Sequence, residues 1–304
     1  MTVNPEFNQP IVEQPPIGFL LADWMMQKDI PGGWRLWREL IRIGYLNKVA
    51  RYRISGPCRD TDIYVPLGRM ESSKSKSTVA EYEEDLVRVL AEASNAQRSP
   101  VLAIDCGADI GMVSTGLIRS ISNLDELVAF EPNNDAYSFL AGTLNANQVN
   151  ARALNLGVGD RAARGELASP DFSDDAHSMF VQEQTDGSIE IVPVDEVVEC
   201  KGRFVVLKID VEGNERGVIV GAQKLLSDST GFAVSFEANK TVCASLGQEP
   251  NDILKDLSKF RNIWAVVAEI PEMTVDPDRP FFEQVSDFPL PEGRPVYNIV
   301  AITE

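Results

Sequence analysis

The sequence has few of the residues that build metal sites and disulfide frameworks. It contains one histidine, His177, and four cysteines that lie far apart, Cys58, Cys106, Cys200 and Cys243. A single histidine excludes a multi-histidine metal site. Cysteines without a close pair argue against a disulfide framework and fit a reducing compartment. We therefore expect a cytoplasmic protein.

Long apolar runs are also missing. No uninterrupted apolar stretch approaches the length of about 18 residues that a membrane-spanning helix needs. The first 16 residues have neither a basic start nor an apolar core of the kind found in signal peptides. We expect no membrane span and no export signal.

Positive charge is scarce: 28 Lys and Arg residues stand against 46 Asp and Glu residues, which gives a net charge of −18. A surface this acidic repels phosphate backbones, so we expect no nucleic-acid partner. Residues 34–53 are the exception, because they hold six basic residues and one acid. Trp34 and Trp37 lie inside this segment, and Trp24 lies just before it.

This basic, Trp-rich segment has several interpretations. The first is a helical cap that packs over the rest of the protein or against a second subunit of a homodimer. The others are a peripheral membrane contact through residues 17–53 and an acceptor platform. In a platform, Trp34 and Trp37 would stack on a ring, and a phosphate would be met by the arginines of one predicted helix face, Arg35, Arg38 and Arg42.

The chain is predicted to divide into three parts. Residues 1–16, rich in Pro, Asn and Gln, are predicted to be a loose tail. Residues 17–95 are predicted to form a small mixed α/β extension, and residues 96–304 the main domain. Within the extension, the apolar spacing and the turn residues predict helices over 17–28, 34–50 and 79–95 and short strands over 51–55 and 61–67.

The main domain alternates between strand-like and helix-like segments. The predicted strands cover 101–105, 126–131, 151–158, 204–210 and 232–237, with helices over 111–121, 134–146 and 214–226. This alternation predicts an α/β fold with a mostly parallel sheet and helices on both faces. Two late strands, 264–270 and 297–303, close the chain, and the last is predicted to be antiparallel and near an edge.

Acids and glycines follow the first two predicted strands, where ligands bind in such sheets. Asp105 ends the first strand, and Gly107 and Gly111 allow a tight turn there. Glu131 ends the second strand and can accept the hydroxyls of a ribose. The glycine spacing departs from G-x-G-x-x-G, and Asp109 disfavours an anionic ligand, so a cationic nucleoside such as S-adenosylmethionine is favoured over a dinucleotide.

Four blocks of the chain resemble the FkbM-type S-adenosylmethionine-dependent methyltransferases. They are DCGADIGMVS (105–114), FEPNNDAYSFL (130–140), LNAN (144–147) and VLKIDVEGNERGVIVGAQKLL (206–226). The resemblance covers roughly residues 80–240. It implies a class I methyltransferase (Rossmann-like) sheet and the transfer of a methyl group to a hydroxyl of a sugar, a glycan or a polyketide-like small molecule.

The resemblance also implies roles for individual residues. Glu131 would bind the ribose, and Asp160 would lie near the adenine amino group. The methionine end would be held by Asp105, Gly107, Ala108 and Gly111, with Asp109 in the same loop. The family usually has Asn at the position of Asp109, so this loop contact is expected to differ. Two alternatives stay open: a methyltransferase-fold binding module without catalysis, and a nucleotide-dependent enzyme of another class.

Removing a proton from a hydroxyl requires a positioned base or a metal ion. We expect Asp210, Glu212 and Glu237 to converge at the ends of the fourth and fifth strands, with Asp210 and Glu212 on a common side if the strand stays extended. His177, in a long polar insertion, is a further candidate base or cofactor contact. An oxygen-rich cluster of this kind would also suit Mg²⁺.

Overall fold

The computed structural model describes residues 7, 9–69, 75–168, 180–247, 249–288 and 296–304. His177, predicted as a candidate base, lies outside the described residues. Within them, no helix is both long and apolar enough to cross a membrane.

The N-terminal part combines a small sheet with two pairs of helices. Its elements are β1 (Ile11–Val12), α1 (Ile17–Gln27), α2 (Gly33–Arg42), β2 (Val49–Ile54), β3 (Thr61–Pro66), α3 (Lys76–Ala80) and α4 (Glu84–Asn95). The strand order is β1-β2-β3, with β1 parallel to β2 and β2 antiparallel to β3. The mixed α/β extension therefore forms.

Three details of this part differ from the prediction. The tail is not loose throughout, because β1 pairs with β2 and Phe7 is buried against Phe139 with 5.1 Å between ring centroids. The helix predicted over 34–50 ends at Arg42, and Gly44 adopts a left-handed φ of 70°. The helix predicted over 79–95 is interrupted at Glu83, whose φ of 50° places Tyr82 in a turn between α3 and α4.

The two tryptophans of the predicted acceptor platform lie in different environments. Trp37 is fully buried and packs against Phe19 with 5.0 Å between ring centroids. It is therefore unable to stack on an acceptor, and that part of the platform hypothesis is wrong. Trp34 is 54% exposed.

The main domain makes up the rest of the chain and is built around an eight-stranded sheet. Its elements in chain order are β4 (Val101–Cys106), α5 (Met112–Ser120), β5 (Leu124–Phe130), α6 (Asn134–Ala146), β6 (Ala151–Leu154), β7 (Gly157–Val158), β8 (Ala163–Ala168), β9 (Phe180–Glu183), β10 (Ile189–Val192), α7 (Val194–Val197), β11 (Phe204–Ile209), α8 (Glu215–Gly221), α9 (Gln223–Asp228), β12 (Gly231–Asn239), α10 (Lys240–Leu246), α11 (Pro250–Ser258), β13 (Ile263–Val267), β14 (Ile270–Thr274), α12 (Phe281–Gln284), a 3-10 turn (Val285–Asp287) and β15 (Val296–Thr303).

The strand order in the large sheet is β14-β13-β15-β12-β11-β4-β5-β6. Strands β4, β5, β6, β11 and β12 are parallel, and β15 is antiparallel to both of its neighbours, β12 and β13. The predicted mostly parallel sheet with a late antiparallel strand is confirmed, and this is the class I methyltransferase, Rossmann-like architecture that the resemblance implied.

A second sheet, of four strands in the order β7-β10-β8-β9, was not predicted. The strand expected over 151–158 is divided between the two sheets, β6 in the large one and β7 in the small one. Asn155 lies in the break, where its side chain donates hydrogen bonds to the carbonyls of Glu131 and Pro132 at 2.8 and 3.2 Å. The helix predicted over 214–226 is likewise two helices, α8 and α9.

Both faces of the large sheet are buried, as expected of a parallel sheet between helices. Along β4, Leu102 and Ile104 join one apolar cluster, whereas Val101 and Ala103 join the cluster on the opposite face. A third cluster holds together the N-terminal part up to α3 and also includes three residues of the main domain, Ile110, Met112 and Phe139, whereas the apolar side chains of α4 join the second cluster, against the large sheet. The N-terminal part therefore packs directly on the start of α5 and on α6.

Candidate functional site

The candidate site lies where the order of the parallel strands reverses. Strands β5 and β6 extend the sheet on one side of β4, and β11 begins the other side. In sheets of this kind, ligands bind beyond the carboxyl ends of the strands at this reversal. Asp105 of β4 and Lys208 of β11 are direct neighbours there.

A buried lysine connects the two strands. The Nζ of Lys208 lies 3.2 Å from Oδ1 of Asp105 and 3.3 Å from Oδ2 of Asp210, and it donates a hydrogen bond of 2.8 Å to the carbonyl of Gly107. Burial alone would lower the pKa of Lys208, but the attraction of Asp105 and Asp210 outweighs burial and raises the pKa. The ammonium therefore stays charged and neutralises part of the local acidity.

Asp105 is fully buried in this network. Its Oδ2 accepts a hydrogen bond of 2.6 Å from the hydroxyl of Ser114, the last residue of the first family-like block. With no exposed surface, Asp105 contacts Lys208 and Ser114 rather than solvent. Its predicted direct contact with the methionine end stays a prediction.

Gly107 allows the loop after β4 to pass against the loop after β11. Its φ is 76°, and a Cβ placed on it would lie 1.8 Å from the carbonyl oxygen of Asp210. The N–H groups of Gly107 and Ala108 both donate to the carbonyl of Phe130, at 3.0 and 2.9 Å. These donors are already used within the protein, so they do not form a phosphate cradle.

Glu131 is held at the end of β5 by the same loop. Its two carboxylate oxygens accept hydrogen bonds of 2.8 Å from the N–H groups of Asp109 and Asn133. Burial, together with repulsion from Asp109, raises the pKa of Glu131 to about 7, although these hydrogen bonds act in the opposite direction. A fixed, buried carboxyl in this position fits the predicted ribose contact, which stays a prediction.

Asp109 and Gly111 also belong to the predicted cofactor loop. The Oδ1 of Asp109 lies 2.5 Å from Nη1 of Arg69, so the charge of Asp109 is paired with a residue of the N-terminal part. Gly111 has a φ of 91° just before α5, and a Cβ there would lie 3.0 Å from Leu140. Gly111 is thus required for the turn that starts the helix.

The predicted acids of the fourth and fifth strands do converge. Burial, followed by repulsion from Asp210 and Glu212, raises the pKa of Glu237 to about 9. Glu212 reaches the cluster by a different route from the predicted one, because β11 ends at Ile209 and Glu212 itself has a left-handed φ of 58°. The condition for Asp210 and Glu212 to lie on a common side of one extended strand is therefore not met, and the catalytic roles stay predictions.

A cleft that opens to solvent lies beside this cluster, at the end of β12. It lies between β12, α10 and α11. Its walls carry the acids Glu212, Glu215, Glu237 and Glu249 beside the apolar Phe236 and Ile253. The cleft therefore offers both carboxyl groups and an apolar surface.

Asp160 lies apart from this cluster, on an exposed turn after β7. Its two oxygens lie 3.0 and 3.1 Å from Nη1 of Arg161, and Nη2 of Arg161 in turn binds Glu183. These ion pairs are exposed and contribute little to stability. A contact of Asp160 with an adenine amino group stays a prediction.

Three residues of the site were missed in the sequence. Glu215 is the last acid of the block KIDVEGNE, and its Oε1 accepts a hydrogen bond of 2.8 Å from the N–H of Gly213, so the motif itself could have indicated it. Tyr82 lies near Asp210, and burial followed by the charge of Asp210 raises its pKa. Neither Tyr82 nor Arg69 has a motif that could have indicated it.

The described residues do not fit a metal ion. No group of three or more His, Cys, Asp or Glu side chains within the ranges given above is arranged to hold one. We therefore derive no step that depends on Mg²⁺.

Comparisons with known proteins agree with this architecture. A model of the family described as the methyltransferase FkbM domain matches residues 105–262, just over half of the 304-residue chain. The match begins at Asp105, near the end of β4, and includes β11 and β12, which carry the acidic cluster at their carboxyl ends. A search of curated proteins found no match.

Several solved structures are similar at low sequence identity. A methyltransferase FkbM from Methylobacillus flagellatus KT is 18% identical with a TM-score of 0.41; the match covers 67% of this chain but only 43% of that one. A precorrin-6y C5,15-methyltransferase from Geobacter metallireducens GS-15 is 13% identical with a TM-score of 0.37, over 72% and 88% of the two chains. The TYW2 protein of M. jannaschii, solved with AdoMet, is 11% identical with a TM-score of 0.41, over 84% and 91%. The family of the chain is established by the FkbM domain match alone.

Proposed function

The chain belongs to the FkbM methyltransferase family, and we propose that it is an S-adenosylmethionine-dependent O-methyltransferase. The proposed acceptor is a hydroxyl of a sugar, a glycan or a polyketide-like small molecule. The observation that carries the proposal is the cluster of Asp210, Glu212 and Glu237 at the carboxyl edge of β11 and β12, beside the loop after β4.

The charges at the strand ends support a cationic cofactor. Burial and repulsion from neighbouring acids disfavour the negative charges of Glu131 and Glu237 at these strand ends. A ligand that carries a sulfonium and an ammonium would relieve this repulsion, whereas a pyrophosphate would increase it. When bound, S-adenosylmethionine supplies an activated methyl group.

The residues of the site would divide the acceptor chemistry between them. Asp210 is half-buried, and its Oδ2 lies 3.3 Å from Nζ of Lys208, so a carboxylate oxygen is held beyond the end of β11, where it can accept a hydroxyl proton. Glu237 has a pKa of about 9, so it is protonated near neutral pH and can donate a hydrogen bond to the acceptor. We therefore assign the base to Asp210 and a positioning contact to Glu237.

The aspartate at position 109, where the family usually has Asn, does not favour the alternative of an inactive binding module. Asp109 is paired with Arg69, so the additional negative charge is compensated within the protein. The loop also keeps its hydrogen bonds to Phe130 and Glu131.

The experiment combines calorimetry with a methyl-transfer assay. The protein is titrated with S-adenosylmethionine and, in parallel, with NAD; it is then incubated with labelled S-adenosylmethionine and a panel of polyols, glycosides and hydroxylated aromatics. Each acceptor is matched with its amino analogue, and NMR of the product identifies the methylated atom.

We expect binding of S-adenosylmethionine and methylation on oxygen. Methylation on nitrogen alone would contradict the assignment of O-methyl transfer. Binding of the cofactor without transfer to any acceptor would favour a binding module, and binding of NAD alone would favour an enzyme of another class.

A further inference from the structure

Helix α1 has apolar residues on two opposite faces. One face is buried in the N-terminal cluster through Phe19 and Ala22. The other carries Ile17, Leu20, Leu21 and Trp24, whose spacing of three, four and seven residues aligns them, and whose side chains are between 46% and 82% exposed. A continuous exposed stripe of large apolar side chains indicates a surface that contacts another body.

Helix α2 adds a tryptophan and unpaired positive charge. Trp34 is about half exposed, and Arg35 and Arg38 are exposed. Among the described residues, neither Arg35 nor Arg38 forms an ion pair within 4.0 Å, in contrast to Arg42, which lies 2.7 Å from Glu39. Their charges are available to an external anionic partner.

The two helices form an antiparallel hairpin with a common outer side. Where the two helices pack on each other, Gly18 of α1 lies beside Leu40 of α2, and Gly33 of α2 lies beside Met25 of α1. Both helices bury their other face in the same cluster, where Phe19 contacts Trp37. Their opposite faces therefore point away from that cluster together. We call this surface the hairpin face; its residues are Ile17, Leu20, Leu21, Trp24, Trp34, Arg35 and Arg38.

The composition of the hairpin face matches that of segments that lie in the membrane interface. Such segments place Trp and aliphatic side chains at the boundary between headgroups and acyl chains and arginines at the level of the headgroups. The protein as a whole has a net charge of −18 and would be repelled by an anionic membrane. Only a local basic surface can overcome that repulsion, so apolar and basic residues are both needed on this face.

We propose that the hairpin face docks the protein onto an anionic lipid surface. A second copy of the chain fits this face less well, because two copies that meet through it would bring the unpaired Arg35 and Arg38 of both close together. Anionic headgroups would instead neutralise the arginines, while the apolar stripe would enter the acyl boundary.

The experiment is vesicle co-flotation of the full chain with two lipid mixtures. One is phosphatidylcholine alone, and the other contains about one third phosphatidylglycerol. An apolar variant, L21S/W24S, is compared with W264S, which removes a tryptophan that is 44% exposed on β13. A charge variant, R35E/R38E, is compared with K224E/K255E, which reverses two lysines on α9 and α11, away from the hairpin.

We expect the wild type to float with the anionic vesicles and to be released at about 0.5 M salt, where screening is strong. Each hairpin variant should reduce binding at least about 10-fold, because one removes the apolar insertion and the other reverses the attraction to the headgroups. The two control variants should bind as the wild type does, and circular dichroism should show that all of the variants are folded.

Two outcomes would overturn the proposal. The first is a wild type that fails to float, or hairpin variants that bind as well as their controls. The second is a wild type that sediments as a dimer and becomes monomeric in L21S/W24S, which would assign the face to a second copy. Neither outcome would affect the proposed methyl transfer, because a water-soluble acceptor measures that separately.

Discussion

The acidic region, by which we mean the acidic cluster together with Asp105, Lys208 and Glu131, and the hairpin face are opposite departures from an ordinary protein surface. The first buries charge, with Asp105, Lys208 and Glu131 all almost inaccessible to solvent. The second exposes apolar side chains, such as Ile17 at 82%. Buried polar groups and exposed apolar patches are the observations that carry most information about function, because each costs stability unless something compensates it.

The two regions differ in where that compensation comes from. In the acidic region much of this compensation is internal, since Lys208 neutralises two carboxylates and backbone N–H groups satisfy Glu131. On the hairpin face nothing among the described residues covers the apolar stripe or forms an ion pair with Arg35 and Arg38. The uncovered apolar stripe and the arginines beside it are the features on which the proposed docking to an external partner rests.

The largest effect is expected for Gly107→Ala, which tests how closely the loop after β4 approaches the loop after β11 in the acidic region. The new Cβ would meet the backbone of Asp210 at 1.8 Å, in addition to the strain of a φ of 76°. We expect a loss of more than about 3 kcal/mol in the free energy of unfolding, measured with urea. Gly44→Ala, at the end of the hairpin, has a similar φ of 70° but nothing within 4 Å of its Cβ. Equal losses in the two variants would show that the close approach is wrong.

Asp210→Asn should impair the methyl transfer proposed for the acidic region without changing the vesicle binding proposed for the hairpin face. It keeps the shape of the side chain but removes the charge that would accept the hydroxyl proton, so turnover should fall about 100-fold or more. Affinity for S-adenosylmethionine, measured by calorimetry, should change only a few-fold, and vesicle binding should not change. Asp186→Asn, on the exposed turn between β9 and β10, is the matched control. Full turnover in Asp210→Asn would exclude this residue as the base.

Glu131→Ala tests whether the acidic region binds the cofactor through its ribose. Loss of a charge-assisted pair of hydrogen bonds should weaken binding of S-adenosylmethionine by about 2–3 kcal/mol in calorimetry. Glu190→Ala, an exposed acid of β10, should leave the affinity as it is. Unchanged affinity in Glu131→Ala would remove the ribose assignment.

Glu237→Gln should give the smallest effect and one that depends on pH. The pKa of Glu237 is raised from 4.5 to about 9 on folding. Below pH 4.5 the carboxyl is protonated in both states. Between 4.5 and 9 the unfolded chain loses the proton while the folded protein keeps it, so folding becomes less favourable as pH rises.

The variant should therefore be more stable than the wild type at about pH 8, by about 1–2 kcal/mol after solvent screening, and this advantage should vanish near about pH 4. Thermal unfolding at both pH values measures it. Leu21→Ser on the hairpin face changes no titratable group and should shift stability equally at both pH values. An advantage of Glu237→Gln that is the same under acidic and basic conditions would contradict the raised pKa.

The sequence predicted what depends on periodicity and order along the chain. Alternating strands and helices place Asp105, Glu131, Asp210 and Glu237 at one edge of the sheet, because parallel strands share the direction of their carboxyl ends. Gly107 and Gly111, after β4, indicated a sharp turn at the same edge of the sheet, because the backbone adopts a positive φ at both positions.

What the sequence did not predict depends on which side chains meet across the fold. Arg69 pairs with Asp109 across 40 positions, and no local pattern encodes such a contact. Trp34 and Trp37 lie on the same helix, α2, but Trp37 is buried and Trp34 is exposed, because the helix faces the core on one side only. The four-stranded sheet was missed because its strands are short, two to six residues each.

The third apolar cluster has a consequence for protein engineering. Ile110, Met112 and Phe139 belong to the methyltransferase part, yet they pack among the side chains of the N-terminal part. A chimera that received the N-terminal part of a relative would need these three residues exchanged along with it, because otherwise the joint would contain cavities or overlaps. The segment up to Asn95 is therefore not a detachable module, and a junction for domain exchange has to follow the cluster rather than the linear boundary.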